Sequence, residues 1–314
     1  MPAFRWNSPL LMLAVAAGAA VASPTSGTAE PGSEARDGTN PGVLVLGRVS
    51  NNPRKDYPGL KQLADYLAAA LAAHGIEEGS VQFAGDNEEM VDMLRAGTVD
   101  VAFDTVFPAL TYEQEAAARP VLREWRDGAP TYRSILFKRR DTPIDGLSDL
   151  VGRTVAFERP GSTSAYMIPR AEIVAAGLRL SELPAPKMRP AAGTVGYVFA
   201  GSENNLVVWV HRGLVDAGAF SDIDWEQSDD MPPELKDDFE IFFWSAPLPR
   251  ALVVLRPGLP SDLGDAVSQA LLAAPTDPTG AAALKAKRVA RYDELTGQAA
   301  EGVAAARRLI ALSH

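Results

Sequence analysis

Apolar and polar positions change period along this chain, and the changes mark its elements. Val43-Leu44-Val45-Leu46-Gly47 is a short apolar run behind a Pro-Gly turn, the pattern of a buried strand. Leu60, Leu63, Ala64, Leu67 and Leu71 recur at helical spacing and predict an amphipathic helix over 58–73. Val81-Gln82-Phe83 reads as a second strand. Glu88–Ala96 reads as a helix with Met90, Met93 and Leu94 on one face and Gly97 as its terminator. Val99–Phe103 then predicts a third strand. Beyond a Gly/Pro break at 128–130, strands are predicted at 132–138, 154–157, 217–220, 240–244 and 252–255. Helices are predicted from about Ser164, over 203–212, and as Ala-rich stretches at 261–273 and 278–312; 221–234 reads as an acidic loop. Strands alternating with helices imply an α/β class with a mostly parallel sheet.

Two polar connections, at 139–143 and 245–249, interrupt this alternation. They predict one lobe from residues 42–139 plus 251–314 and a second from 140–250. Two crossings make a hinge, and the cleft between two α/β lobes is a natural small-ligand site.

The N-terminus has a different character. Leu10–Ala22 is apolar and ends in Ala20-Val21-Ala22, the small-x-small pattern of a cleavage site, so residues 1–22 read as a secretory signal. The run is shorter than the ~18 residues wanted for a membrane span. Residues 23–41, rich in Ser, Thr, Gly and Pro, read as a flexible leader. The mature chain is therefore expected to be exported.

Composition narrows the chemistry. The 314 residues include no Cys and 3 His, with 30 Lys+Arg against 40 Asp+Glu, a net charge of −10. No thiol nucleophile, disulfide or thiolate metal site is available, and a multi-histidine metal site is not expected. An acidic chain lacks the basic footprint that a nucleic-acid partner requires. The acidic stretch 222–230 lacks the central Gly and terminal Glu of a calcium loop, and His211 has no Ser and acid partners for a hydrolase triad. Gly193–Gly201 has neither glycine spacing of a nucleotide loop.

The sharpest local feature is Phe157-Glu158-Arg159-Pro160-Gly161-Ser162-Thr163-Ser164: a strand end, a Pro-Gly turn and consecutive hydroxyls opening a helix. Unpartnered N–H groups and the helix dipole favour an anion there, and hydroxyls add donors. One hydroxyl suffices for a helix cap, so capping alone does not account for Ser162, Thr163 and Ser164. Asp104 and Thr105 are expected just beyond the C-terminal end of the third strand, where open α/β sheets bind ligands. A turn or cap role is equally open for them.

In order and spacing, several motifs resemble the periplasmic substrate-binding proteins of phosphate, phosphite and phosphonate ABC transporters, the PhnD-like family. They are Gly97-Thr98-Val99-Asp100-Val101-Ala102, Tyr132-Arg133-Ser134-Ile135, Leu147-Ser148-Asp149-Leu150-Val151-Gly152, Pro160–Pro169, and Gly201-Ser202 followed by Gly213–Ala219. The resemblance covers about 43–300 and implies a two-lobed type II periplasmic binding fold. It implies that Ser162, Thr163 and Ser164 hold phosphonate oxygens and that Tyr132 reaches the ligand. Other positions depart from the family pattern. Asn87 stands where aminoalkylphosphonate binders carry Tyr, Glu203 where they carry His, and Arg250 where they carry an acid; the remaining family acid falls near Ile223, beside Asp222 and Asp224. Losing a carboxylate removes a partner for a ligand amine, while Arg250 can grip an oxyanion bidentately. Glu203 can accept a proton from the ligand or pair with Arg250.

The expectation is a periplasmic protein, monomeric and not an enzyme, needing no cofactor or metal. It would capture a small oxyanion for an inner-membrane ABC permease. The site residues expected are Ser162, Thr163, Ser164, Tyr132, Asp104, Thr105, Glu203 and Arg250. A ligand-sensing subunit of a signalling system, a cleft enzyme with a His- or Cys-based centre, and a sulfonate or organic-anion binder lined by Trp209, Trp225 or Trp244 are the alternatives.

Overall fold

The computed structural model describes residues 42–312. The expected export signal and leader lie outside the described residues. In chain order the elements begin with β1 (Val43–Val49), α1 (Pro53–Ala70), β2 (Glu78–Ala84), α2 (Asn87–Ala96), β3 (Val101–Thr105), α3 (Val106–Ala116) and β4 (Arg119–Arg126). Then come β5 (Thr131–Tyr132), β6 (Ser134–Arg139), β7 (Thr154–Phe157), a π turn (Thr163–Met167), α4 (Ile168–Ala175), β8 (Leu180–Glu182) and β9 (Val195–Phe199). The chain continues through α5 (Glu203–His211), β10 (Ala217–Ser221), α6 (Asp222–Glu226), α7 (Pro233–Lys236), β11 (Phe239–Trp244) and β12 (Leu248–Pro249). It ends with β13 (Ala251–Leu255), α8 (Ser261–Ala273), α9 (Pro278–Lys287), β14 (Val289–Glu294) and α10 (Gly297–Leu312).

The strands form two six-stranded sheets. The first runs β14-β4-β13-β3-β1-β2 and the second β11-β6-β10-β7-β9-β8. In the first sheet β2, β1 and β3 are parallel, whereas β13 and β14 enter antiparallel. In the second, β7 to β10 are parallel and β6 is antiparallel to both of its neighbours. Period-2 alternation splits each strand between two cores. Leu44 and Leu46 face Leu60, Leu63 and Leu67 of α1, while Val45 faces Met90 and Leu94 of α2. In β6, Phe137 joins Phe220 and Phe239 while Leu136 joins Val155 and Phe157. Gly79 explains how α1 sits so near β2: a Cβ there would stand 2.1 Å from the carbonyl oxygen of Ala64.

Sequence pattern and structure differ in several places. Strand β6, 134–139, pairs in the second sheet, so the first crossing precedes it and does not follow Arg139. The connection is itself paired: β5 and β12 form a two-stranded antiparallel ribbon, with Tyr132 opposite Leu248 and Thr131 opposite Pro249. Arg250 N–H donates to the Pro130 carbonyl at 3.1 Å beside it. The stretch 278–312 is broken by β14. Arg288, at φ 61°, ends α9 in the left-handed region, and Val289 and Tyr292 turn into the core. Strand β4, Arg-Pro-Val-Leu-Arg-Glu-Trp-Arg, is too polar to read as a buried strand. The acidic stretch 221–234 holds two short helices, because Ser221 and Asp224 form a reciprocal capping box at the start of α6.

Helix α10 lies against both lobes. Its Val303, Ala306 and Ile310 share a core with Leu110 of α3 and with Ile168 and Ala171 of α4.

Candidate functional site

Strand ends, a turn, the hinge and a helix start supply the cleft. Asp104 and Thr105 are the last residues of β3 rather than lying beyond it. Burial raises the Asp104 carboxyl above its ordinary range, against hydrogen bonds from Tyr112 and Thr105. Its Oδ1 accepts from the Thr105 N–H at 2.7 Å and its Oδ2 from the Tyr112 hydroxyl at 2.7 Å. These contacts fix Asp104, whose Oδ1 also accepts from the Thr105 hydroxyl at 3.3 Å. The Tyr112 hydroxyl also reaches Asn87 Oδ1 at 3.3 Å, so Asn87 braces this wall.

The opposite wall is the turn after β7. A plain helix cap is present: Ser162 Oγ accepts from the Ala165 N–H at 3.3 Å. A cap uses a lone pair, so the Ser162 O–H stays available as a donor. The next turn is π rather than α, with Ser162 as its cap and Thr163 as its first residue. Thr163, 4% exposed, meets Thr105 with 2.6 Å between the two hydroxyl oxygens. The two lobes thus touch through hydroxyl groups. Ser164 is held by its carbonyl, which accepts from the Ser134 hydroxyl at 2.6 Å.

The hinge contributes Tyr132 and Arg250. The Tyr132 phenol is buried without a hydrogen-bond partner, and burial raises it far above its ordinary value, so it stays an O–H donor. The Arg250 guanidinium carbon lies 5.9 Å from the centre of the Tyr132 ring. Its ion pair is with Asp127 at 3.3 Å, not with Glu203. Glu203 opens α5 behind the Ser202 cap. Burial, reinforced by neighbouring Glu158, pushes its carboxyl up to about 7.

These groups meet in one cavity of ≈ 620 Å³, and all eight residues named from the sequence line it. Asp224 lines it too, whereas Asp222 turns away to accept from the Arg133 N–H at 2.9 Å. Trp209, Trp225 and Trp244 do not line it, which removes the feature expected of a large organic-anion site. Sequence reasoning missed Arg48, next to last in β1, and Arg126, which ends β4; both line the cavity. Arg48 was within reach of the rule that ligands gather at strand ends; Arg126 lay in the unread β4. Among the described residues no cluster of three or more metal-ligating side chains occurs, and no helix is long and apolar enough to cross a membrane.

Comparison with known proteins gives the geometry a family. The model of the family described as "ABC transporter, phosphonate, periplasmic substrate-binding protein" matches residues 49–299. The phosphate-import protein PhnD of Mycolicibacterium smegmatis is 30% identical over 209 residues, 65% of this chain. The match spans 63% of that relative's length. XAC2383 from Xanthomonas citri, solved bound to chloride, is 34% identical with a TM-score of 0.81 over 87% of this chain and 98% of its own. The same protein has been solved bound to ATP. PhnD1 from Prochlorococcus marinus, solved with methylphosphonate, shares the fold at a TM-score of 0.60 and 16% identity, over 87% of this chain and all of its own. A type II periplasmic binding fold, carrying family motifs across most of its length, makes this chain a member of the periplasmic phosphonate substrate-binding family of ABC transporters.

Proposed function

We propose that the protein is an exported solute receptor that closes two lobes around a small phosphorus oxyanion (phosphate, phosphite or a phosphonate) and delivers it to an inner-membrane ABC permease. The lobes in this reading are 42–130 with 250–312, and 133–247, joined by the paired hinge. The observation that carries the reading is the hydroxyl contact between Thr105 and Thr163, with Ser162, Ser164 and Tyr132 around it. Neutral donors arriving from both lobes suit a tetrahedral anion, and they bind it without a base, nucleophile or metal. Each hydrogen bond to a charged group contributes about 1.5–3 kcal/mol. A few together reach the ~8 kcal/mol of micromolar affinity after association costs.

Glu203 refines the chemistry. With its carboxyl near 7 it is partly protonated at neutral pH and then donates a hydrogen bond to an anion oxygen. Arg250 balances the ligand charge from the hinge, where the family's aminoalkylphosphonate binders place an acid. The ligand is therefore proposed to carry no amine. The receptor works as a monomer, since one chain supplies both walls of the cleft.

The test is a thermal-shift panel on the mature chain with phosphate, phosphite, methylphosphonate, 2-aminoethylphosphonate, sulfate and a sulfonate. A ligand at about 100 times its Kd stabilises by about 2.7 kcal/mol. Phosphorus oxyanions should raise the melting temperature and 2-aminoethylphosphonate should be the weakest of them. No shift with any phosphorus oxyanion overturns the reading.

A further inference from the structure

The first-lobe wall of the cleft carries two arginines, Arg48 and Arg126, among the acids Asp56, Asp86, Glu88 and Asp104. Glu124, fully buried, accepts from Arg126 Nε at 3.1 Å and from Lys287 Nζ. Burial would raise its carboxyl, but Lys287 and Arg126 outweigh that and lower it to about 2, so it is a carboxylate. One carboxylate thus faces two cations. Arg126 Nη2 is buried and has no hydrogen-bond partner. Buried polar groups almost always have partners, so an orphaned guanidinium nitrogen in a ligand cavity calls for an explanation. Arg48 stands on the same wall with its charge destabilised by burial and by Arg126. Its ion pair with Asp56 is long, at 3.9 Å, and Asp56 also accepts from the Ser50 hydroxyl at 2.6 Å. Asp104 lends charge to both arginines while accepting from Thr105 and Tyr112, and Asp86 caps α2, accepting from the Glu89 N–H at 2.9 Å. The orphaned Arg126 Nη2, with Arg48 beside it on the same cavity wall, offers an anion a guanidinium fork.

The cavity has room for such a second anion. A water-sized group takes roughly 30 Å³, so a phosphate-sized oxyanion of five heavy atoms fills about 150 Å³ of the site. The site measures ≈ 620 Å³.

We propose that Arg48 and Arg126 form a second anion subsite in the cleft, and that the ligand is a phosphorus oxyanion carrying a second acidic group, a carboxylate or a further phosphate. This rests on the reading above, in which the hydroxyl cluster of Ser162, Thr163 and Thr105 takes the first oxyanion. The hydroxyl wall supplies neutral, directional donors; the arginine wall supplies charge and a bidentate grip.

The test compares probes with one and two acidic groups. Methylphosphonate is titrated calorimetrically beside phosphonoacetate, pyrophosphate and ATP, using the full mature chain, Arg48→Gln, Arg126→Lys and Ser162→Ala/Thr163→Ala. Arg126→Lys keeps the charge that Glu124 needs and removes the fork. At least one two-acid probe should bind the wild type about tenfold or more tighter than methylphosphonate. Arg48→Gln and Arg126→Lys should each collapse that ratio towards one, and the double hydroxyl variant should weaken every probe. If methylphosphonate binds as tightly as all three two-acid probes, or if both arginine variants leave the ratio unchanged, the second subsite is wrong while the receptor reading stands. If no phosphorus compound binds the wild type, both fall together.

Discussion

Glu203 is the residue whose environment sets a measurable pH dependence. Its ordinary carboxyl value is 4.5 and the folded protein raises it to about 7, by burial first and by Glu158 second. Between those limits the folded chain holds a proton that the unfolded chain has released. Stability from this group is therefore present at low pH and is lost as pH rises from about 4.5 through about 7. Glu203→Gln should flatten that slope and melt higher than wild type at about pH 8, with little difference at about pH 4. A melting-temperature series against pH checks it; parallel curves for the two proteins would place Glu203 in an ordinary solvated setting. The same substitution should remove any loss of oxyanion affinity across about pH 7, because ionised Glu203 repels the ligand that its protonated form holds. Asp100 makes a second prediction. It accepts from the Val45 N–H at 2.9 Å and from Arg256 Nε at 2.7 Å, both side chains nearly fully buried, and so ties β1, β3 and the end of β13 together. Arg256→Ala leaves a buried carboxylate without its counter-charge and should cost about 3–5 kcal/mol in urea unfolding. A loss under about 1 kcal/mol would show the pair to be solvated.

Elements were legible in the sequence where one physical signal dominated. The apolar run of β1 and the period of α1 each reflect burial against a single neighbour, and the structure keeps both. The hydroxyl turn after β7 was legible because it holds more polar donors than a cap uses. Strand β4 was not legible: Arg123, Glu124 and Arg126 find their partners in Asp293, Lys287 and the cavity, and these are tertiary contacts that no local period records. With β4 went Arg126, and with it half of the arginine wall. Strand β14 was hidden in an Ala-rich stretch, because a single left-handed residue, Arg288, ends the helix before it. The hinge ribbon was also invisible, since its strands are two residues long and pair across more than a hundred positions of chain. Gly302 of α10 makes this ribbon testable. A Cβ there would stand 2.7 Å from Pro249 Cδ in β12. Gly302→Ala should destabilise by about 1–3 kcal/mol and lower ligand affinity by disturbing the hinge. If both stability and affinity are unchanged, α10 does not brace the ribbon.

At the scale of the molecule the parts divide the work. The sheets carry the cores, the ribbon of β5 and β12 runs between the lobes, and α10 touches both lobes and the hinge. In the proposed closure, neutral donors from the second lobe meet charged and neutral donors from the first. An acidic chain with a net charge of −10 can hold an anion this way, because the donors act within a few ångströms while distant surface carboxylates are screened over ~8 Å at physiological ionic strength. The central claim is that the Ser162–Thr163 turn grips a phosphorus oxyanion. Its most direct test is an isothermal titration of the mature chain and its Ser162→Ala/Thr163→Ala variant with phosphate, phosphite, methylphosphonate and phosphonoacetate. One-to-one binding by the wild type to at least one of these, and a loss of about a hundredfold or more in a variant that still melts cooperatively, is the predicted result. Equal affinity of the two proteins for every binding anion would contradict the account.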